Sequence, residues 1–101
     1  MIVQDTENLL NYISQIKNRV NNLTKDINVD MLPDMYKKKI LDAKLKIYAG
    51  LSLIEARAEK NILIPKDYLE KQKQKIDVFY KDLSDATAQA ATYLKQQEKI
   101  R

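Results

Sequence analysis

The sequence predicts an all-α fold, an antiparallel up-down-up three-helix bundle with a long C-terminal helix and coiled-coil-like packing. Apolar residues recur every three or four positions along most of the chain. One glycine and two prolines leave few places where a helix would break. The connections between periodic segments are short, which places consecutive helices antiparallel. With 101 residues, the whole chain (1–101) is expected to form one domain.

One apolar stripe defines the first predicted helix, at about residues 5–28. Its members follow one another in steps of four and three: Leu9, Ile13, Ile16, Val20, Leu23 and Ile27. Asp5 is the candidate N-cap, because its carboxylate can accept hydrogen bonds from the free amides of the first helical turn.

The second predicted helix covers about residues 31–61 and is apolar on two sides. Asp30 is expected to cap it, with Pro33 in the first turn, where a missing amide costs nothing. One side carries the residues expected to face the bundle: Tyr36, Ile40, Ala43, Ile47, Leu51, Ile54 and Ala58. The roughly opposite side carries Leu41, Leu45, Tyr48, Ala49, Ser52 and Ala56.

This second apolar side predicts a partner-binding surface, because a helix in a three-helix bundle needs only one apolar side. Its residues are Leu41, Leu45, Tyr48 and Ser52. The alternative is that the other two helices hold this one from widely separated directions, which leaves Leu45 as an ordinary exposed leucine. Gly50, in the middle of the helix, either lets a neighbour approach closely, or marks a bend, or is simply tolerated.

The third predicted helix begins at Pro65 and runs to about residue 100. Its apolar seam keeps its phase past Ser84, so one continuous helix is expected. At ~1.5 Å per residue it is about 20 Å longer than the first helix. Its end is therefore expected to lack a partner within the chain, and either to form a docking arm or dimer contact, or to fray. The residues of this arm are Tyr93, Leu94 and Ile100.

The composition argues against most kinds of catalysis. Cys and His are absent from the sequence, which removes the usual zinc ligands, the usual base at neutral pH and the thiolate nucleophile. Glu55 and Glu59 lie one turn apart but lack the histidine that di-metal bundles add. No phosphate-binding loop is present. We expect a non-enzymatic protein with no catalytic residue, metal, cofactor or small-molecule substrate.

Positive charge is concentrated early in the second predicted helix. The net charge is +4, with a pI near 9.2, and the cluster consists of Lys37, Lys38, Lys39, Lys44 and Lys46. Sequence-independent nucleic-acid binding through phosphate contacts is therefore an alternative function. Against it, lysines that alternate with carboxylates are usually solvated helix surface, and few arginines are available for base contacts.

The N-terminal sequence from Met1 to Asp5 resembles neither a basic leader nor an apolar signal segment. No apolar run approaches the roughly 20 residues needed to cross a bilayer. These observations predict a cytoplasmic protein.

One short segment resembles a known family. Residues 60–65, Lys-Asn-Ile-Leu-Ile-Pro, followed by an amphipathic helix, are similar to the Ile-Pro junction in immunity proteins of class II bacteriocins. Those proteins are basic cytoplasmic four-helix bundles of about this length, so the resemblance implies a helical bundle with an immunity function as a further alternative. It covers some twenty residues, residues 34–61 lack the break of that family, and no site residue is carried over.

The favoured hypothesis is a helical-bundle adaptor or regulatory module that acts through helix-mediated protein association, with a homodimer as one form. Burial of apolar area, worth roughly 25 cal/mol per Å², would drive the association. The flanking lysines would set orientation and specificity.

Overall fold

A computed structural model describes residues 6–60 and 62–100, with side chains through Glu98. These residues form three α-helices: α1 (Thr6–Thr24), α2 (Asp34–Glu59) and α3 (Lys66–Ile100), with a 3₁₀ turn at Val29–Met31. They contain no β-strand, which confirms the predicted all-helical class with three helices. Among the described residues, no helix combines the length and apolar character needed to cross a membrane.

The helix α1 ends four residues before the predicted position. Its stripe is buried at Leu9, Ile13, Ile16 and Val20. At its end, the Thr24 hydroxyl donates to the Val20 carbonyl oxygen at 3.1 Å, and the Ile27 amide donates to the Thr24 carbonyl oxygen at 3.2 Å. The second bond joins residues three apart, as in a 3₁₀ turn, and such bonds are common where an α-helix ends. Ile27 therefore packs against the core from the connection. The predicted cap Asp5 lies outside the described residues.

The connection between α1 and α2 corrects the predicted start of the second helix. Asp30 does not cap it; Asp30 lies in the 3₁₀ turn, where its amide donates to the Asn28 side chain at 3.2 Å. Leu32, the residue before proline, is extended at φ −88° and ψ 149°, because a following proline disfavours helical backbone. Pro33 therefore precedes the first turn, and its carbonyl oxygen accepts from the amides of Tyr36 and Lys37.

The helix α2 supplies the largest share of the core. Its buried residues are Ile40, Ala43, Ile47, Leu51, Ile54 and Ala58. It ends at Glu59, two residues before the predicted end, and the Ile62 amide closes it by donating to the Arg57 carbonyl oxygen at 2.9 Å. The helix runs without a break between these ends, so the described residues form three α-helices. The resemblance to immunity proteins implied four.

The helix α3 is continuous through Ser84, whose carbonyl oxygen accepts from the Thr87 hydroxyl at 2.9 Å. It begins directly after Pro65, whose carbonyl oxygen accepts from the Leu69 amide at 3.0 Å. Its buried side chains are Ile76, Leu83, Ala86, Thr87 and Ala90. It packs much more extensively against α2 than against α1.

Polar and ring contacts among the described residues join the helices at their edges. Between α2 and α3 lie Tyr36 with Tyr93 (ring centroids 5.3 Å apart), Lys46 Nζ with Phe79 (5.6 Å) and Arg57 Cζ with Tyr68 (4.3 Å). The helix α1 contributes an ion pair between Lys17 and Glu55 at 3.2 Å and a contact of Lys73 Nζ with the Tyr12 ring at 4.7 Å.

The bundle is a rod of 64 × 19 × 16 Å with a radius of gyration of 16.6 Å. A compact domain of this length would have a radius of gyration of about 13 Å. Because the rod is thin, each helix keeps a long strip of surface that the other two do not cover.

Candidate partner-binding surface

Three leucines lie on the solvent side of α2. Leu45 is 67% exposed, Leu53 is 50% exposed and Leu41 is 41% exposed. The exposed small residues Ala49 and Ser52 lie between Leu45 and Leu53, and Ala56 follows Leu53. At about 100° per residue, Leu45, Ala49, Ser52 and Ala56 lie opposite the buried residues of α2, and Leu41 and Leu53 lie at the two edges of this side. We call Leu41, Leu45, Ala49, Ser52, Leu53 and Ala56 the outer face of α2.

The predicted partner-binding residues of the second helix separate into two groups. Leu41, Leu45 and Ser52 lie on the outer face. Tyr48 is half-buried and packs against the core, at the edge nearest Leu51. Leu53 belongs to the outer face and was missed by the sequence analysis. Its signal was its position four residues after Ala49, one turn further along the edge of the same side of the helix.

The expectation that the end of α3 lacks a partner within the chain is wrong for Tyr93 and Leu94. The Tyr93 ring contacts Tyr36 near the start of α2, and Leu94 is half-buried against the core. The prediction compared the third helix with the first, whereas α3 packs along α2, whose first turns reach this far. The side chain of Ile100 lies outside the described residues.

The five clustered lysines point in three directions. Lys37 and Lys44 lie on the same side of α2 as Glu55, which forms the ion pair with Lys17 of α1. Lys39 and Lys46 lie on the side toward α3, and Lys38 points to solvent between them.

Two of these lysines have local partners. Lys37 is 3.7 Å from an Asp30 carboxylate oxygen, and Lys46 lies over the Phe79 ring. The structure therefore does not gather the cluster into one positive surface of the kind that a phosphate backbone requires.

A shallow groove of about 350 Å³ lies between α2 and α3. Its lining mixes both signs of charge: Lys39, Asp42, Ala43, Lys46, Asp82, Asp85, Ala86 and Gln89. The carboxylates of Asp42, Asp82 and Asp85 outnumber the two lysines, so the groove does not favour an anion. No group of three or more potential metal-ligating side chains occurs in the part of the chain that the structure describes.

The other large exposed apolar side chains are dispersed. Val78, 58% exposed, lies on the outer side of α3, and Leu10, 39% exposed, lies on α1. Met31 and Met35 lie at one end of α2, and Ile62 and Leu63 at the other. Single exposed apolar residues are normal on a protein surface, and among the described residues the outer face of α2 is where three exposed leucines share one helix.

No protein-family model, curated protein or solved structure matches this chain. Its function is therefore inferred from its own residues and surfaces.

Proposed function

We propose that this protein is a non-enzymatic helical bundle that acts by binding protein through the outer face of α2. The observation that carries the proposal is the exposure of Leu41, Leu45 and Leu53 on one side of a helix whose other side forms the core. Contiguous apolar surface on a small protein marks an interaction site more often than scattered leucines do.

We also propose that the bundle is arranged up-down-up, with neighbouring helices antiparallel. The three ring contacts between α2 and α3 support this arrangement, because residue numbers rise along α2 from 36 to 57 while they fall along α3 from 93 to 68. Steps of three and four between the buried residues of α2 favour coiled-coil-like packing. In such a bundle the outer face of α2 points away from both neighbours.

Burial of this face would supply the driving force for association. Each Å² of apolar surface removed from water contributes roughly 25 cal/mol. Lys38, Asp42 and Glu59 surround the leucines and are exposed, so they can select the orientation of the partner. The absence of Cys and His from the sequence supports a binding function over a catalytic one.

The test places a photo-crosslinking amino acid at Leu45 or, as the matched control, at Val78, which has similar exposure on α3. In the native host, we expect the probe at position 45 to form defined protein adducts, and the probe at position 78 to form none of them. Adding Leu53→Asp should abolish the adducts at position 45, because a charge would then be buried beside the partner. Identical adducts at both positions would overturn the proposal.

Nucleic-acid binding through the lysine cluster remains the alternative, and salt dependence separates the two. Phosphate contacts release counterions, so such binding would weaken about ten-fold or more between ~50 and ~200 mM salt. We expect no binding of labelled DNA or RNA even at the lower concentration. Salt-sensitive binding that Lys39→Glu and Lys46→Glu abolish would favour the alternative.

A further inference from the structure

We infer that the partner of the outer face is a second copy of this chain, which docks α2 against α2 in antiparallel orientation about a two-fold axis. The inference rests on the proposed function and names its partner. It follows from the spacing, the sizes and the charges of exposed residues along α2.

The spacing is that of a coiled-coil seam. Seven exposed residues of α2 follow one another in alternating steps of four and three: Lys38, Asp42, Leu45, Ala49, Ser52, Ala56 and Glu59. We call these residues the outer seam. Alternation of four and three is the pattern that lets two helices pack along their length. The helix α2 thus carries a buried seam on one side and an exposed seam on the other.

The side-chain sizes in the outer seam favour an antiparallel pair. The larger apolar residue, Leu45, lies toward the N-terminal end, and the small residues Ala49, Ser52 and Ala56 follow it. An antiparallel pair whose two-fold axis passes midway between Leu45 and Ala49 places each Leu45 beside Ala49 of the second copy. A parallel pair would instead place leucine against leucine and alanine against alanine, leaving gaps beside the small residues.

The charges of the outer seam favour the same orientation. In this register Lys38 lies level with Ala56 of the second copy, within one turn of its Glu59. A parallel pair would oppose Lys38 to Lys38 and Glu59 to Glu59, and like charges across an interface are unfavourable.

Self-complementarity is what identifies the partner. A two-fold interface uses the same surface on both subunits, so that surface must complement its own reversed copy. A surface for a foreign protein has no such requirement. The outer seam satisfies it in both size and charge.

The dimer is expected to be weak. A seam of this length spans about 32 Å of helix at 1.5 Å per residue. The surface area that one helix pair of this length buries is at or below ~1,200 Å², the value that separates weak interfaces from standard ones. The dimer should therefore dissociate on dilution through the micromolar range.

The first experiment measures mass against concentration by sedimentation equilibrium up to about 1 mM, the range in which so small an interface associates. We expect the mass to approach twice the 11.8 kDa of the chain. Leu45→Asp should weaken the association by about ten-fold or more, while Val78→Asp, on α3, should leave it unchanged. Circular dichroism of both variants should match the wild type, because both residues are exposed.

Charge reversal tests the orientation. Lys38→Glu and Glu59→Lys should each weaken the antiparallel dimer several-fold, because each places like charges within one turn of each other at two symmetric positions. The double variant should restore the affinity. In a parallel dimer the single changes would only exchange one like-charge pair for another, and the double variant would rescue nothing.

Disulfide trapping gives an independent test of the register, because the chain contains no cysteine. Lys38→Cys and Ala56→Cys proteins, mixed and oxidised, should form the mixed 38–56 disulfide in excess over 38–38 and 56–56. A Val78→Cys protein gives the background rate of random collisions. Predominant 38–38 and 56–56 products would overturn the antiparallel register.

The two proposals fail differently. If the chain stays monomeric at about 1 mM, the highest concentration of the sedimentation experiment, the proposed dimer is wrong. Adducts to another protein at position 45 would then keep the proposed binding function. A dimer that is indifferent to Leu45→Asp, with no adduct specific to position 45, overturns both.

Discussion

Replacement of Gly50 by alanine should destabilise the protein, although alanine is the better helix former. In an ordinary helix interior this change would stabilise by about 1 kcal/mol. A Cβ atom on Gly50 would, however, lie 3.0 Å from Ile76 Cγ1 and 3.4 Å from its Cδ1. Ile76 is 1% exposed, so its side chain cannot move aside freely, and overpacking costs about 1–3 kcal/mol. The net expectation is a loss of about 1 kcal/mol in the free energy of unfolding.

A double-mutant cycle isolates the contact between Gly50 and Ile76. Ile76→Ala alone should cost about 2–5 kcal/mol because it leaves a cavity. In that background Gly50→Ala should stabilise by about 1 kcal/mol, since the new methyl group enters free space. The coupling energy between the two changes is then about 2 kcal/mol, well above the ~0.5 kcal/mol scatter of independent sites.

The measurement is urea unfolding followed by far-ultraviolet circular dichroism, with unchanged m-values as the condition for comparing the four proteins. Ala88→Gly, at an exposed position of α3, measures helix propensity alone and should cost about 1 kcal/mol. Equal stabilisation by Gly50→Ala in both backgrounds would refute the close approach of α2 and α3 at this point.

The remaining predictions concern the side chains of Tyr12 and Tyr93. The Tyr12 hydroxyl is buried with no hydrogen-bond partner among the described residues, so Tyr12→Phe should raise the free energy of unfolding by up to about 1 kcal/mol. Burial, and then the nearby Asp77 carboxylate, raise the pKa of Tyr12 above 10.0 against an opposing effect of Arg19. The native state therefore retains this proton longer than the unfolded state, and wild-type stability should fall as the pH rises through 10; an equal fall in Tyr12→Phe would contradict this cause. Tyr93→Ala should remove about 0.5–1.5 kcal/mol of pairing with Tyr36 and accelerate amide exchange at the end of α3, whereas unchanged exchange would show that this end is held elsewhere.

The number of helices could be predicted because apolar periodicity and two prolines act locally. The capping residue in the connection between α1 and α2 could not be predicted, because Asn28 and Asp30 are both good N-cap residues and lie only two positions apart. The choice between them depends on where the chain turns: Pro33 keeps Leu32 extended, and the 3₁₀ turn then begins after Asn28.

The candidate site was predicted in part, because exposure depends on which helices pack together. The spacing of Leu41 and Leu45 placed them opposite the core from the sequence alone. Tyr48 lies near the boundary between the two sides of α2, and only the position of its neighbours makes it half-buried. The partner of Tyr93 depends on the register of α3 against α2, which helix lengths do not determine.

The two seams of α2 have similar spacing, so spacing alone does not decide which one faces the bundle. Their chemistry does. The buried seam holds three isoleucines and a leucine, whereas the outer seam begins with Lys38 and Asp42 and ends with Glu59. Packing α2 the other way round would bury these three charges, at a cost of several kcal/mol each without partners. The polar ends of the outer seam therefore direct the isoleucines inward, and Leu45 and its small neighbours stay on the surface of the folded bundle.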